Sequence, residues 1–133
     1  MQGAKYILRY FFEWGGGCLW PGNEAAFLEF ELGPYDLCEP CPLPLSSETV
    51  VRCQQMAEWH DASLNWDYPP NPGPWRQVEC DKFNRAAGEL LSVIRADLGP
   101  DFQVIDEQRQ IVEDPELDEY LASPKGFRRI QQQ

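Results

Sequence analysis

From residue 5 the chain alternates in the manner of an extended segment. Tyr6, Leu8, Tyr10 and Phe12 fall on one face, with Ile7, Arg9 and Phe11 on the other. Aromatic and β-branched residues with no breaker predict a strand over 5–12, and two largely apolar faces predict a central one. The run Gly15-Gly16-Gly17 ends it, and Cys18 to Gly22 read as a turn with buried anchors. A longer period follows. Asn23 can cap a short helix through Glu24, Ala26, Phe27 and Phe30, stopped by Gly33-Pro34. Ala26, Leu28, Phe30 and Leu32 also alternate, so a strand over the same residues stays open, with the helix as the expectation.

Beyond a loop over 33–45, Ser46 and Ser47 precede Glu48, a cap and an acidic first turn that suit a helix N-terminus. Val50, Cys53, Ala57 and His60 then recur at helical spacing, and this helix is expected to end near His60. The next stretch, DASLNWDYPPNPGPW, holds four prolines and cannot be regular structure. Its two Trp and one Tyr make it too aromatic for a solvated linker, so it reads as an ordered loop strapped across the domain. A second long helix is predicted from Gln77 to Leu98, buried through Cys80, Phe83, Ala87, Leu90, Leu91, Ile94 and Leu98. Gly99-Pro100 stops it. Phe102 to Asp106 reads as a short strand, and Ile111, Leu117, Tyr120 and Leu121 leave room for a docked element in an acidic stretch. The basic end, KGFRRIQQQ, reads as mobile.

These elements predict an α+β fold: one domain over residues 1–107 with a small sheet covered by two long helices. Residues 108–133 form an acidic segment and a basic C-terminal tail, partly docked or flexible. Two strands make a marginal sheet. A third is expected from residues 26–32, from 107–112, or from a partner chain.

Charge changes the picture. Against 11 Lys and Arg stand 22 Asp and Glu, a net charge of −11 over 133 residues, alongside five Trp, five Tyr and seven Phe. A disordered acidic tail would lack those aromatics. An acidic globular surface repels phosphate backbones and anionic lipid and attracts basic partners, so neither nucleic acid nor a membrane is an expected partner. No run approaches the roughly 18 apolar residues of a membrane helix, and Lys5 and Arg9 interrupt the first apolar segment where a signal sequence would be unbroken. The expected compartment is the cytoplasm.

Candidate chemistry adds little. Five cysteines, an odd number, suit reduced thiols. Cys38 and Cys41 form a C-x-x-C in a proline-studded loop, without further ligands at zinc spacing, so no metal or cofactor is expected. The glycine triplet lacks the helix start and Lys of a phosphate cradle. His60 stands alone on an apolar stripe, where the helix C-terminus would favour its charged form, and reads as a satisfied structural histidine. Cys53 is two turns away, about 10 Å, out of reach of it. Glu113-Asp114 and Asp118-Glu119 read as a solvated acidic face. The constellation that stands out is the Trp-rich loop, Asp61, Asn65, Trp66, Asp67, Tyr68 and Trp75. The indoles of Trp66 and Trp75 are expected inside, with Asp61, Asp67 and Tyr68 outside as a pre-organised contact surface.

The segments RYFFEWGGGCLW, Asn23, the PLS-capped helix, SLNWD, FNRAAGELL and LGPDFQVID together resemble a group of small bacterial proteins that look like standalone immunity proteins of secreted polymorphic toxins. The resemblance spans residues 5–107, and the CEPC insert departs from it. It implies no catalytic residue. It implies a non-enzymatic inhibitor that binds and occludes a cognate toxin, whose expected character from charge is basic. The expected contacts are Asp61, Trp66, Asp67 and Tyr68, flanked by Asp106 and Glu107. Two other readings stand beside it: a small enzyme using carboxylates and Cys or His, and an adaptor that self-associates through the edge of strand 102–106. Oligomeric state is not legible in the residues.

Overall fold

The computed structural model describes residues 3–30, 32 and 41–129. Strand β1 (Tyr6–Tyr10) is central, as its apolar character predicts. It pairs antiparallel with β2 (Leu19–Pro21), with Arg9 opposite Trp20, and parallel with β3 (Phe102–Asp106), with Leu8 opposite Val104. The third strand comes from none of the three places expected. It is β2, in the segment read as a turn. A three-residue strand bounded by Gly17 and Gly22 carries too little period to register, and it exists because the glycine turn folds it back on β1.

Between β2 and β3 the chain makes helices α1 (Glu24–Phe30), α2 (Ser47–Asp61) and α3 (Gln77–Leu98). Residues 24–30 are therefore helix, and the cap decides it. The Asn23 Oδ1 accepts from the amides of Ala26 (3.0 Å) and Ile7 (3.2 Å), which starts α1 and ties it to β1. The proposed stop at Gly33-Pro34 lies outside the described residues. At α2, Ser46 Oγ accepts from the Thr49 amide at 3.1 Å, and Thr49 Oγ1 donates to Asp97 of α3 at 2.6 Å. The Thr49 hydroxyl and the Ser46 amide, both donating to it, hold the Asp97 carboxyl below its ordinary pKa.

Helix α3 has no local cap at Arg76. Its first amide, that of Gln77, donates instead to Glu113 at 2.8 Å, a cap supplied from beyond the domain's last strand. The core lies between the inner sheet face and the two long helices. Leu8, Tyr10 and Phe12 point inward against Phe83, Leu90 and Ile94, and the Tyr10 hydroxyl donates to the Ala87 carbonyl at 2.8 Å.

The acids after residue 107 are not simply solvated. Asn84 exchanges two 2.9 Å hydrogen bonds with the Ile111 backbone, and Gln77 and Glu113 exchange another pair. A short helix α4 (Leu117–Ala122) seats Leu117 at 1% exposure. Arg129 reaches Asp114 at 2.7 Å and the Pro70 carbonyl at 2.9 Å, and Phe127 is buried edge-on to Tyr120. Residues 127–129, read as part of a mobile end, are anchored.

Candidate functional site

Helix α2 delivers the site. At its C-terminus the loop over 62–75 folds on itself around Asn65, which is buried. Asn65 Oδ1 accepts from the amides of Asp67 and Tyr68, both at 3.1 Å, and its Nδ2 donates to the Pro72 carbonyl at 3.1 Å. Gly73 passes so close to the Ser63 carbonyl that no side chain fits. The loop is thus ordered and internally bonded rather than a solvated linker. Trp75 is inside, packed on Trp59 and Phe83.

Trp66 is not inside. It is 58% exposed, and its indole N–H donates to the Asp61 carbonyl at 2.7 Å. Nor is Asp61 free on the surface: it is half-buried, and its carboxylate accepts from the Gly15 amide at 2.8 Å. A ring with its N–H satisfied at the end of α2 has less drive to bury itself, and the carboxylate fastens the glycine turn. A second indole joins it. Trp14, 50% exposed, donates its N–H to Ser63 Oγ at 2.9 Å, and Ser63 donates to the His60 carbonyl at 2.6 Å. Two exposed tryptophans are therefore pinned to the same turn, residues 60–63. Asp67 and Tyr68 are exposed on the same loop.

Beneath Trp14 lies His60, stacked at 5.2 Å and 19°. The histidine is 4% exposed and its Nδ1 has no hydrogen-bond partner among the described residues. Burial outweighs the raising effect of Asp61 and brings its pKa down to about 4, so the imidazole is neutral at physiological pH. The helix end favours the charged form, and a satisfied histidine would have its Nδ1 paired, so His60 departs from the sequence expectation twice. Aromatic burial between Phe12, Phe83 and Trp14 prevails on both counts.

Asp106 and Glu107 stand apart from the Trp66 loop, at the end of β3. Glu107 pairs with Arg9 at 2.6 Å, and Asp106 accepts from the Gln108 amide at 3.0 Å. Of the six residues selected from the sequence, Asp61, Trp66, Asp67 and Tyr68 form one group and Asp106 and Glu107 another. Trp14 links them. It shares a cavity of about 490 Å³ with Arg9, Glu13, His60, Glu107 and Gln108, while its N–H rests on the loop that carries Trp66. Trp14 was not among the residues selected from the sequence. The available signal was a tryptophan next to a glycine turn, outside the strand's alternation.

Among the described residues no three His, Cys, Asp or Glu side chains gather as a metal site. Cys38 lies outside the described residues. The β3 edge, where self-association was considered, has its Val104 carbonyl taken by Arg95 at 2.6 Å. No helix among the described residues is long and apolar enough to cross a membrane.

A family model described as Serratia CdiI immunity protein-like matches residues 8–107. The chain belongs to that family, which supports toxin immunity as its general role. Among curated proteins none matches the chain.

Proposed function

We propose that the chain is a non-enzymatic, cytoplasmic immunity protein that binds a cognate basic toxin and occludes its active surface. The observation that carries this reading, beyond family membership, is the pair of half-exposed indoles, Trp14 and Trp66, each fixed by its N–H to the turn after α2. Large aromatic rings held rigid before contact lose little freedom on binding, and Trp is the residue most enriched among energetic anchors. The loop acids Asp67 and, across the glycine turn, Glu13 set an acidic rim around them, and the net charge of −11 draws a basic surface in from a distance. An interface of about 800 Å² per partner is enough for tight inhibition when a few anchors are central. A toxin that acts on nucleic acid fits best, because an acidic inhibitor then occupies the site of a polyanion.

The test is co-expression with the product of the neighbouring reading frame. Growth rescue and a stable complex are expected, and Trp14→Ala with Trp66→Ala should weaken that complex about 1000-fold, since each anchor is worth about 2 kcal/mol. A neighbour that is harmless, or that forms no complex with the wild-type chain, sinks the reading.

A further inference from the structure

Three depressions follow one another along a single flank of the molecule, and one stretch of chain walls all of them. The first, about 490 Å³, is bounded on this side by residues 107–111. The second, about 370 Å³, is bounded by residues 111–115 and faces Trp14, Ser63, Gly73 and Trp75. The third, about 310 Å³, lies between Leu117, Tyr120 and Leu121 of α4 and the loop residues Trp66, Asp67 and Pro72. Each is of the size that ordinarily accepts part of a ligand. The opposite wall is the chain from Arg9 to Trp14 with His60 in the first, Trp14 with the loop after α2 in the second, and that loop alone in the third.

The wall is built, not draped. Its backbone is locked to α3 by the reciprocal bonds of Asn84 with Ile111 and of Gln77 with Glu113, and α4 is nailed down by Leu117. Yet it presents apolar side chains outward: Val112 is 67% exposed and Leu121 52%. Such side chains opposite the two pinned indoles make a stripe of the kind that marks a protein contact. At its lip Asp67 has a carboxylate with no hydrogen bond or ion pair among the described residues. The family match ends at residue 107, so family membership assigns nothing to this wall.

We propose that residues 108–121 form the second wall of a docking trough for the toxin, which lays there a segment carrying apolar side chains beside Lys or Arg. The inference rests on the immunity reading. Apolar contacts with Val112 and Leu121 complement those with Trp14 and Trp66, and the cationic groups face Asp67. A second copy of this chain is the poorer occupant, because two bodies of net charge −11 repel and the lip of each is acidic.

The experiment compares wild type, Trp14→Ala/Trp66→Ala and Val112→Lys/Leu121→Lys for binding the purified product of the neighbouring reading frame. Melting temperature and light-scattering mass are recorded for each. The wall residues are exposed, so the double Lys variant should keep the wild-type melting temperature while its Kd rises at least 30-fold. A Kd within threefold of wild type overturns the proposal and leaves the immunity reading standing, provided the tryptophan variant has lost affinity. A double Lys variant that converts a dimer to a monomer at unchanged toxin affinity also overturns it, in favour of a second copy. A wild-type chain that binds nothing removes both.

Discussion

The buried histidine makes the stability of this protein depend on pH in a window where few other groups contribute. His60 takes up its proton at about pH 4 in the folded chain against an ordinary value of 6.5. Between those values the unfolded chain binds the proton and the folded chain does not, so folding loses stability as pH falls. Above pH 6.5 both states are neutral and the effect vanishes. At pH 5 the difference amounts to about 2 kcal/mol, and it levels off near 3 kcal/mol once pH passes below 4. Asp97, Glu107 and Asp114 have carboxyls held below their ordinary pKa, so their stabilisation is lost as pH drops through and below the carboxylate range. The interval from pH 7 to 5 therefore isolates His60. His60→Phe keeps an aromatic ring against Trp14, Phe12 and Phe83 and removes the titrating group. Urea unfolding of both proteins at pH 7.5 and 5.0 gives a difference of differences from which the changing net charge cancels. That quantity should be about 2 kcal/mol, with wild type the more acid-sensitive. A value under about 0.5 kcal/mol would mean that His60 is not held neutral, and the account of its burial would be wrong.

Other features give sharper local outcomes. Gly73→Ala places a Cβ against the Ser63 carbonyl, which should cost about 2 kcal/mol or more and lower the chemical-denaturation midpoint. Asn84→Ala removes both bonds to Ile111. It should cost about 1–2 kcal/mol and raise amide exchange at Ile111 ahead of the α3 core. Asp67→Lys leaves the fold alone and should slow toxin association about tenfold at low salt, with the deficit shrinking as salt is added. Stopped-flow traces at two ionic strengths read this directly.

The elements that the residues announced are those with period and caps of their own. Helix α3 shows its stripe over 22 residues, and Ser46 with Thr49 marks the start of α2 without help from the rest of the chain. Strand β2 was hidden because three residues between glycines have no period to show. The α3 cap was hidden for another reason: Glu113 lies 36 positions away from the amide it accepts from, and no local rule reaches that far. The candidate site was legible in the same proportion. Prolines announced an ordered loop, and the loop is held by the hydrogen bonds of Asn65. Which of its tryptophans faces out depended on a carbonyl at the end of α2, and the role of Trp14 depended on Ser63, 49 positions on. Charge and stiffness are local or additive properties, whereas the direction of a ring is decided by partners distant in sequence.

The acid excess divides accordingly into two parts with different work. Much of the acidic stretch after β3 is spent inside the molecule: Glu113 and Asp118 face Arg76, and Asp114 and Glu116 face Arg129. Exposed or half-exposed pairs of this sort add little stability each, but together they fasten the segment that walls the trough. Two arginines offset only half of those four charges, so the segment still adds to the field felt by an approaching partner. The rest of the field comes from unpaired acids, and of these Asp67 lies beside a fixed indole. Steering is thus a property of the whole surface, which salt weakens. In the proposed complex retention belongs to Trp14, Trp66 and the apolar wall, where salt acts little. A toxin complex built this way should lose association rate before it loses residence time as ionic strength rises, and substitution of the indoles should do the reverse.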